Sequence, residues 1–235
     1  MTSRIALPLL SFILICTLLL VGCYDTATPS YAGQGTADQI MLPGIPDVRQ
    51  AEYFSCGASA FQAVLSYYGV DSFERDLRLM LNTSNTHGTY SWDMVRVAQQ
   101  LGFSAEWKEN CTLNDLESAL QRGNPVIIRA ERVRAQNSTW ENTWTVGHYM
   151  VVIGLDKQNV YLEDPYLIGS RLYLTRDDFT ASWHSYVSEV PIPANAPKHF
   201  HEAVFISGKP PAVHQEFIGP DVIPNRLPPV VTENP

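Results

Sequence analysis

The stretch Gln50-Ala51-Glu52-Tyr53-Phe54-Ser55-Cys56-Gly57 is the most informative part of this sequence, because an apolar run with helical period follows it directly. Ser55 is a residue type that favours the N-cap of a helix, and Gly69 is one that favours the position just after a helix. The pattern therefore predicts an amphipathic helix that begins at or beside Cys56. The apolar residues on its face, spaced at i, i+3, i+4 and i+7, are Phe61, Val64, Leu65 and Tyr68.

Cys56 in this position would lie at the positive end of the helix dipole, an environment that lowers the pKa of a thiol and populates the thiolate. Gln50, six residues upstream, has a side-chain amide that can donate a hydrogen bond to a developing oxyanion. The alternative is a small buried cysteine at the start of a core helix, since free cysteine is among the most buried residue types. This segment alone leaves both interpretations open.

The length of 235 residues allows one sizeable domain with extensions, or two small domains. A hydrophobic content of 45% with 11% aromatic residues suits a packed globular core. The net charge of −8 and the pI near 5.2 argue against nucleic acid as a partner and against a polybasic membrane patch. We expect no nucleic-acid partner.

The N-terminus has the layout of a secretory signal, with Arg4 before an apolar run over residues 5–21. The run ends in Leu20-Val21-Gly22-Cys23, which resembles the lipobox of bacterial lipoproteins and implies that Cys23 carries a lipid. The alternative is an uncleaved transmembrane anchor, for which the run is marginally short against the ~20 residues that span a bilayer. Tyr24, not aspartate, follows Cys23. We therefore expect lipid anchoring in a bacterial cell envelope, on the periplasmic face, and at the outer rather than the inner membrane.

The mature chain would keep two cysteines within its fold, because Cys16 leaves with the signal and Cys23 is acylated. The two that remain are Cys56 and Cys111. An oxidising compartment allows a disulfide between them, and such a bridge would oppose catalysis by Cys56. We favour a free Cys56, while the sequence leaves the disulfide open.

The domain organisation follows from a change of pattern along the chain. We expect a signal peptide at 1–22, a flexible tether at 23–42, one domain at 43–208 and a proline-rich tail at 209–235 that is extended or disordered. Helical patterns come first in the domain, with helices predicted at 56–69, 72–80, 91–102 and 112–123, the last opened by a capping box of Thr112 and Asp115. Strands follow at 125–128, 147–154, 159–163, 172–174 and 203–206. This order predicts an α+β domain whose helical half packs on an antiparallel sheet.

His148 at the start of one predicted strand and Asp164 at the end of the next complete a candidate site. Neighbouring antiparallel strands place a strand-initial residue opposite a strand-final one, so the two can be direct neighbours. The carboxylate would then fix the imidazole tautomer and stabilise the imidazolium. Taken singly, His148 could be a satisfied strand histidine and Asp164 a turn residue before Pro165. Together with Gln50 and Cys56, they favour nucleophilic catalysis by cysteine.

These motifs resemble the double-glycine cysteine peptidases that process bacteriocin leaders and have a papain-like fold. The similarity covers residues 45–207 approximately. It implies that Cys56 is the nucleophile, His148 the general base, Asp164 the orienting residue and Gln50 the oxyanion donor. The segments that carry it are Gln50-x5-Cys56-Gly57, Leu65-Ser66-Tyr67-Tyr68-Gly69, Gly88-Thr89-Tyr90-Ser91, Ala98 with Leu101-Gly102, His148-Tyr149-Met150-Val151-Val152, Leu162-Glu163-Asp164-Pro165, and Phe179 with Trp183.

The resemblance implies cleavage after a small pair such as Gly-Gly. The best-known members are cytosolic and fused to a transporter, whereas this chain is expected to be exported. We expect a thiol endopeptidase for a secreted or exported protein or peptide, with no cofactor and with a secretion system as a candidate partner. A lipid-anchored, non-catalytic peptide-binding module that assists export or assembly is the alternative, and the same triad could act on a non-protein acyl substrate.

Two weaker alternatives concern other residues. Glu163 and Asp156 could replace Asp164 as the orienting acid, but Glu163 should point to the opposite face of its strand and Asp156 lies in a turn. Three histidines could in principle hold a metal, but without nearby cysteines or acids in pattern we expect a surface loop there and no metal. They are His184, His199 and His201.

Overall fold

The structure is a computed structural model that describes residues 39–167, 171–208 and 222–224. The predicted signal peptide, Cys23, most of the tether and most of the tail lie outside these residues, so the expectations for them stay predictions. In the described ranges the helices are α1 (Cys56–Tyr67), α2 (Glu74–Met80), α3 (Ser91–Gln100), α4 (Leu113–Gln121) and α5 (Arg176–Ser182). No helix among these residues is long and apolar enough to cross a membrane.

Most strands of the second half of the domain form one large sheet, which β1 and β2 also join. Its order is β10-β6-β5-β4-β3-β9-β2, with β1 paired to β4, and its pairs are antiparallel except for the parallel pair of β10 and β6. The strands are β1 (Gln39–Met41), β2 (Ser104–Lys108), β3 (Val126–Ala130), β4 (His148–Asp156), β5 (Asn159–Glu163), β6 (Arg171–Thr175), β9 (Ala203–Ser207) and β10 (Val222–Pro224). A separate hairpin joins β7 (His184–Tyr186) and β8 (Lys198–Phe200). The predicted α+β class is confirmed.

Helix α1 packs its apolar face on the sheet, mainly against β4. The four apolar residues that predicted it are all buried. Its C-terminus ends at Gly69 as expected, because Gly69 has a φ of 80° and the N–H of Val70 donates to the carbonyl of Leu65 at 2.9 Å. Helix α1 thus begins at the candidate nucleophile and is anchored in the core along its length.

The role predicted for Ser55 at the start of α1 is wrong in one respect. Ser55 occupies the N-cap position, but its side chain does not cap the helix. Its hydroxyl instead donates to the carbonyl of Glu52 at 2.9 Å and accepts from the N–H of Glu52 at 3.1 Å. The side chain is used to close the tight turn that leads into Cys56.

Among the other local predictions, one capping box is confirmed and several element bounds differ. The capping box of α4 is present, with the N–H of Thr112 donating to Asp115 at 2.7 Å and the reverse bond at 3.3 Å. Helix α2 begins two residues later than expected, after an extended Phe73. Strand β2, helix α5 and the hairpin of β7 and β8 were not predicted. The surface loop expected at His184 and His199 is wrong, because they lie in β7 and β8 and His184 is buried. Strand β1 lies at the end of the expected tether, and β10 lies within the expected tail.

Candidate active site

The ends of β4 and β5 bring His148 and Asp164 together. The two strands pair in antiparallel fashion, with Val151 opposite Glu163, so the first residue of β4 lies beside the residue that follows β5. His148 Nε2 lies 2.5 Å from Asp164 Oδ1. Asp164 has no solvent-exposed surface, so this contact is protected from water.

Cys56, the first residue of α1, lies on the other side of His148. Its thiol is hydrogen-bonded to the imidazole of His148 and also accepts from the backbone N–H of Tyr149. Since Nε2 of His148 faces Asp164, Nδ1 is the nitrogen left for the sulfur. The three side chains therefore form one chain of hydrogen bonds from sulfur to carboxylate.

The charges of Cys56, His148 and Asp164 shift one another's pKa. Burial raises the pKa of the Cys56 thiol, but the charge and hydrogen bond of His148 lower it further, so the pKa of Cys56 lies below its usual value. Burial lowers the pKa of His148, but Asp164 and Cys56 raise it well above the usual range. Burial raises the pKa of Asp164, whereas His148 and Arg132 hold it below its usual range. These interactions favour a thiolate on Cys56 and an imidazolium on His148.

Gln50 is held in place by its own backbone and side chain. Its backbone N–H donates to the carbonyl of Pro165 at 2.9 Å, which ties it to the turn after Asp164. Its side-chain Nε2 donates to the carbonyl of Glu52 at 2.7 Å, and the residue is 8% exposed. An amide nitrogen has two N–H groups, so the second one is the group that could donate to an oxyanion.

Sequence reasoning missed two residues beside the triad. Arg132 Nε donates to Asp164 Oδ2 at 2.8 Å, and the backbone N–H of Tyr166 donates to Asp164 Oδ1 at 2.9 Å. The guanidinium carbon of Arg132 lies 4.2 Å from the centre of the Tyr166 ring. The turn Asp164-Pro165-Tyr166 was a usable signal for Tyr166. Arg132 lies 32 residues from Asp164, and no local pattern links the two.

The alternative acids are engaged elsewhere. Glu163 accepts from the N–H of Val48 at 3.2 Å, and burial raises the pKa of its carboxyl to about 8. Asp156 accepts from the N–H of Gln158 at 2.7 Å in the turn between β4 and β5. In the structure, the acid against His148 is Asp164.

A small pocket opens beside Cys56, with a volume of about 100 Å³. The loop 85–89 forms one wall, and the other lining residues are Tyr53, Phe54, Cys56, Arg129, Val146, Gly147, Tyr149 and Val190. Gly57 allows α1 to approach that loop, because a Cβ at residue 57 would lie 2.6 Å from the Cβ of Thr89. The pocket is mostly apolar and narrow.

A buried ion pair underlies the pocket. Arg129 Nη2 lies 2.5 Å from Glu202 Oε2, and Trp107 Nε1 donates to the other carboxylate oxygen at 2.9 Å. Ser91 also donates to Glu202, and its hydroxyl lies 2.8 Å from the hydroxyl of Tyr149. This network fixes the residue whose N–H faces the thiol of Cys56, and the sequence analysis did not anticipate it.

The disulfide that the sequence left open is not formed, because Cys56 and Cys111 are both free thiols. Cys111 is 4% exposed, and burial raises the pKa of its thiol to about 11. His201 Nδ1 lies 3.1 Å from the carbonyl of Cys111. Within the described ranges, no group of three or more metal-ligating side chains comes together.

Comparisons with known proteins identify the family of this chain. The model of the Peptidase C39-like family matches residues 43–190, which is more than half of the chain. The transport/processing ATP-binding protein ComA of Streptococcus pneumoniae is 27% identical over 135 residues, 57% of this chain. The alignment spans only 17% of ComA.

In two further comparisons the alignment covers a larger share of the matched protein. A Pseudomonas fluorescens protein named probable functional amyloid protease FapD is 26% identical over 197 residues, 75% of this chain and 77% of that protein. The crystal structure of a double glycine motif protease from an AMS/PCAT transporter, in complex with the leader peptide, aligns with a TM-score of 0.50 and 17% identity. That alignment covers 71% of this chain and 94% of the other. The chain therefore belongs to the Peptidase C39-like family and has the α+β, papain-like fold of its cysteine peptidase domains.

Proposed function

We propose that the protein is a thiol endopeptidase that cleaves a secreted or exported protein or peptide after small residues such as Gly-Gly. The observation that carries this proposal is the continuous hydrogen-bond chain from Cys56 through His148 to Asp164. A thiolate, a proton donor and an orienting carboxylate are the groups that acyl transfer requires.

The proposed reaction has two stages. The Cys56 thiolate attacks the scissile carbonyl, and the oxyanion accepts hydrogen bonds from Gln50 Nε2 and from N–H groups at the start of α1, which have no partner within the helix. His148 gives its proton to the leaving amine as the carbon–nitrogen bond breaks, leaving a thioester. His148 then takes a proton from water, whose oxygen attacks the thioester, and the carboxylic acid product leaves as the thiolate forms again.

The size of the pocket beside Cys56 supports the preference for small residues. A narrow apolar space of about 100 Å³ suits glycine or alanine better than a large side chain before the cleaved bond. The double glycine protease was solved with a leader peptide, and the Pseudomonas fluorescens relative is named for functional amyloid. Leader-like peptides and an amyloid-forming protein are therefore the substrates to test first.

Cleavage of short peptides tests this proposal directly. We expect the protein to cut a peptide with a central Gly-Gly after the second glycine, and to cut a Leu-Leu analogue at least about tenfold more slowly, because one poorly accommodated group is worth about 1–3 kcal/mol. Mass spectrometry of the products locates the cut. Cys56→Ala should remove the activity and Cys111→Ser, the matched control, should keep it. Full activity in Cys56→Ala would exclude the mechanism.

The anchoring is a separate part of the proposal. The motif that ends at Cys23 supports a lipid-anchored protein of a bacterial cell envelope, and the transport/processing relative makes a secretion system the partner to seek by co-purification. Cys23→Ser should abolish incorporation of a radiolabelled fatty acid without changing peptide cleavage. Equal incorporation in the variant and the wild type would exclude Cys23 as the lipidated residue.

A further inference from the structure

Both oxygens of the Asp164 carboxylate are engaged, and by different parts of the chain. Oδ1 faces His148 Nε2 at 2.5 Å and accepts from the N–H of Tyr166 at 2.9 Å. Oδ2 accepts from Arg132 Nε at 2.8 Å. We propose that Arg132 is a positioning residue that holds Asp164 in the plane and the charge state that His148 requires. This inference rests on the proposed function.

The contact with Arg132 fixes the plane of the Asp164 carboxylate. A carboxylate held at one oxygen alone can rotate about its χ2 torsion, whereas bonds to both oxygens define its plane. Asp164 has no exposed surface, so water cannot replace Arg132 without a change in structure. Loss of the guanidinium would leave Oδ2 as a buried acceptor without a donor, which is costly.

Arg132 is itself held firmly. Its side chain is 14% exposed, and its guanidinium carbon lies 4.2 Å from the centre of the Tyr166 ring. The same residue, Tyr166, supplies the backbone N–H that binds Asp164 Oδ1. The loop that follows β3 and the turn that follows β5 are therefore locked together around one carboxylate.

The charges that face Asp164 explain why a cation is needed there. The imidazole of His148 and the guanidinium of Arg132 attract it, while the thiolate of Cys56 and the neighbouring carboxyl of Glu163 disfavour its negative charge. Arginine suits this place better than lysine, because its planar guanidinium can donate to a carboxylate and stack on a ring at the same time.

The inference predicts that Arg132 acts only through Asp164. A double-mutant cycle of Arg132→Gln and Asp164→Asn tests this, carried out on the full chain with Cys111→Ser. The first measurement is the rate of Cys56 alkylation by iodoacetamide at pH 6, which reports the thiolate without any peptide substrate. The second is kcat and KM with a Gly-Gly peptide.

We expect Arg132→Gln to slow alkylation, because a less firmly held Asp164 stabilises the imidazolium of His148 less and so raises the pKa of Cys56. The variant should also have a kcat lower by about tenfold, with little change in KM. In the Asp164→Asn background the same change should have no further effect. Arg132→Lys, which keeps the charge and loses the stacked plane, should show a smaller loss and provides a second variant if Arg132→Gln does not fold.

Arg134→Gln is the matched control, because Arg134 lies on the same loop, donates to the carbonyl of Ser138 at 2.6 Å and stacks on Trp140 at 5.3 Å. It should leave alkylation and kcat unchanged. Additive effects of Arg132→Gln and Asp164→Asn would overturn the positioning role, even if peptides are cleaved. A non-additive cycle in alkylation without peptide cleavage would instead uphold Arg132 and refute the endopeptidase.

Discussion

Cys56 and Cys111 differ in the groups that surround their sulfur atoms. Cys56 has the imidazole of His148 and the N–H of Tyr149 against its thiol, whereas Cys111 is buried without such partners and the pKa of its thiol is raised to about 11. The protein thus contains a reactive thiol and an unreactive reference thiol.

We predict that iodoacetamide labels Cys56 and not Cys111 between pH 5.5 and 7, because only a thiolate reacts and a free cysteine with a pKa of about 8.5 is barely ionised there. Peptide mapping by mass spectrometry after brief treatment without reductant identifies the site. His148→Ala should abolish labelling of Cys56 at pH 6. Labelling should return only above the pKa of a free thiol, about 8.5, because burial raises the pKa of Cys56 and no imidazole is left to offset it. Labelling that is unchanged in His148→Ala would refute the ion pair.

At the scale of residues, the sequence was sufficient to select candidate residues whose side chains are reactive or ionisable. Cys56, His148 and Asp164 stand at predicted element ends, and their residue types allow few roles. Arg132 could not be found in this way, since an arginine in a polar loop is common and its partner is 32 residues away. Only the packing of two loops gives Arg132 its role.

Glu202 connects several elements of the domain through one carboxylate. It follows β8 and contacts Arg129 of β3, Ser91 at the start of α3 and Trp107 of β2. A second acidic residue, Glu106, pairs with Lys108 at 2.7 Å, but both side chains of that pair are 55% exposed. The two glutamates allow a matched comparison of a buried and an exposed ion pair.

We predict that Glu202→Ala lowers the free energy of unfolding by about 3–5 kcal/mol, because Arg129 would be left as a buried charge without its partner. Glu106→Ala should change it by less than about 1 kcal/mol, as is usual for an exposed pair. Urea denaturation followed by circular dichroism measures both. Equal losses in the two variants would show that the buried network does not hold these elements together.

At the scale of elements, local signals predicted the helices with clear ends. The capping box of α4 and Gly69 after α1 act within a few residues, so they can be recognised without the fold. Strand β2 was not predicted, because its alternation of more and less exposed residues covers only five positions and its partner, β9, lies far along the chain. The seven residues of α5 give barely two helical turns, too few for a periodic pattern to stand out.

Glu131 makes the stability of the whole molecule sensitive to pH. It is buried and accepts from the N–H and hydroxyl of Thr145 at 2.6 and 2.7 Å, and burial raises the pKa of its carboxyl to about 7. A raised pKa means that the folded protein binds the proton more tightly than the unfolded chain. This contribution is therefore full below about pH 4.3 and is lost as the pH rises to 7.

We predict that Glu131→Gln flattens this part of the pH profile. Relative to wild type, the free energy of unfolding of the variant should rise by a few kcal/mol as the pH increases from 4.5 to 7.5. The reason is that each pH unit between the unfolded and the folded pKa of Glu131 is worth about 1.4 kcal/mol. Urea titrations across this range measure the difference. Glu117→Gln on α4, a half-buried glutamate that accepts from Gln121, is the control for the loss of a carboxylate elsewhere in the domain. Parallel profiles for Glu131→Gln would show that Glu131 does not titrate in this range.

The sequence by itself determined the α+β class, the helix that begins at Cys56 and the identity of four candidate site residues. These depend on residue type, on the period of apolar side chains and on short-range hydrogen bonds, all of which act along the chain. The tertiary structure decided the free state of Cys56 and Cys111, the engagement of both oxygens of Asp164 and the volume of the pocket beside the thiol. Each of these depends on segments that are far apart in sequence, whose contacts exist only after the helices have packed on the sheet.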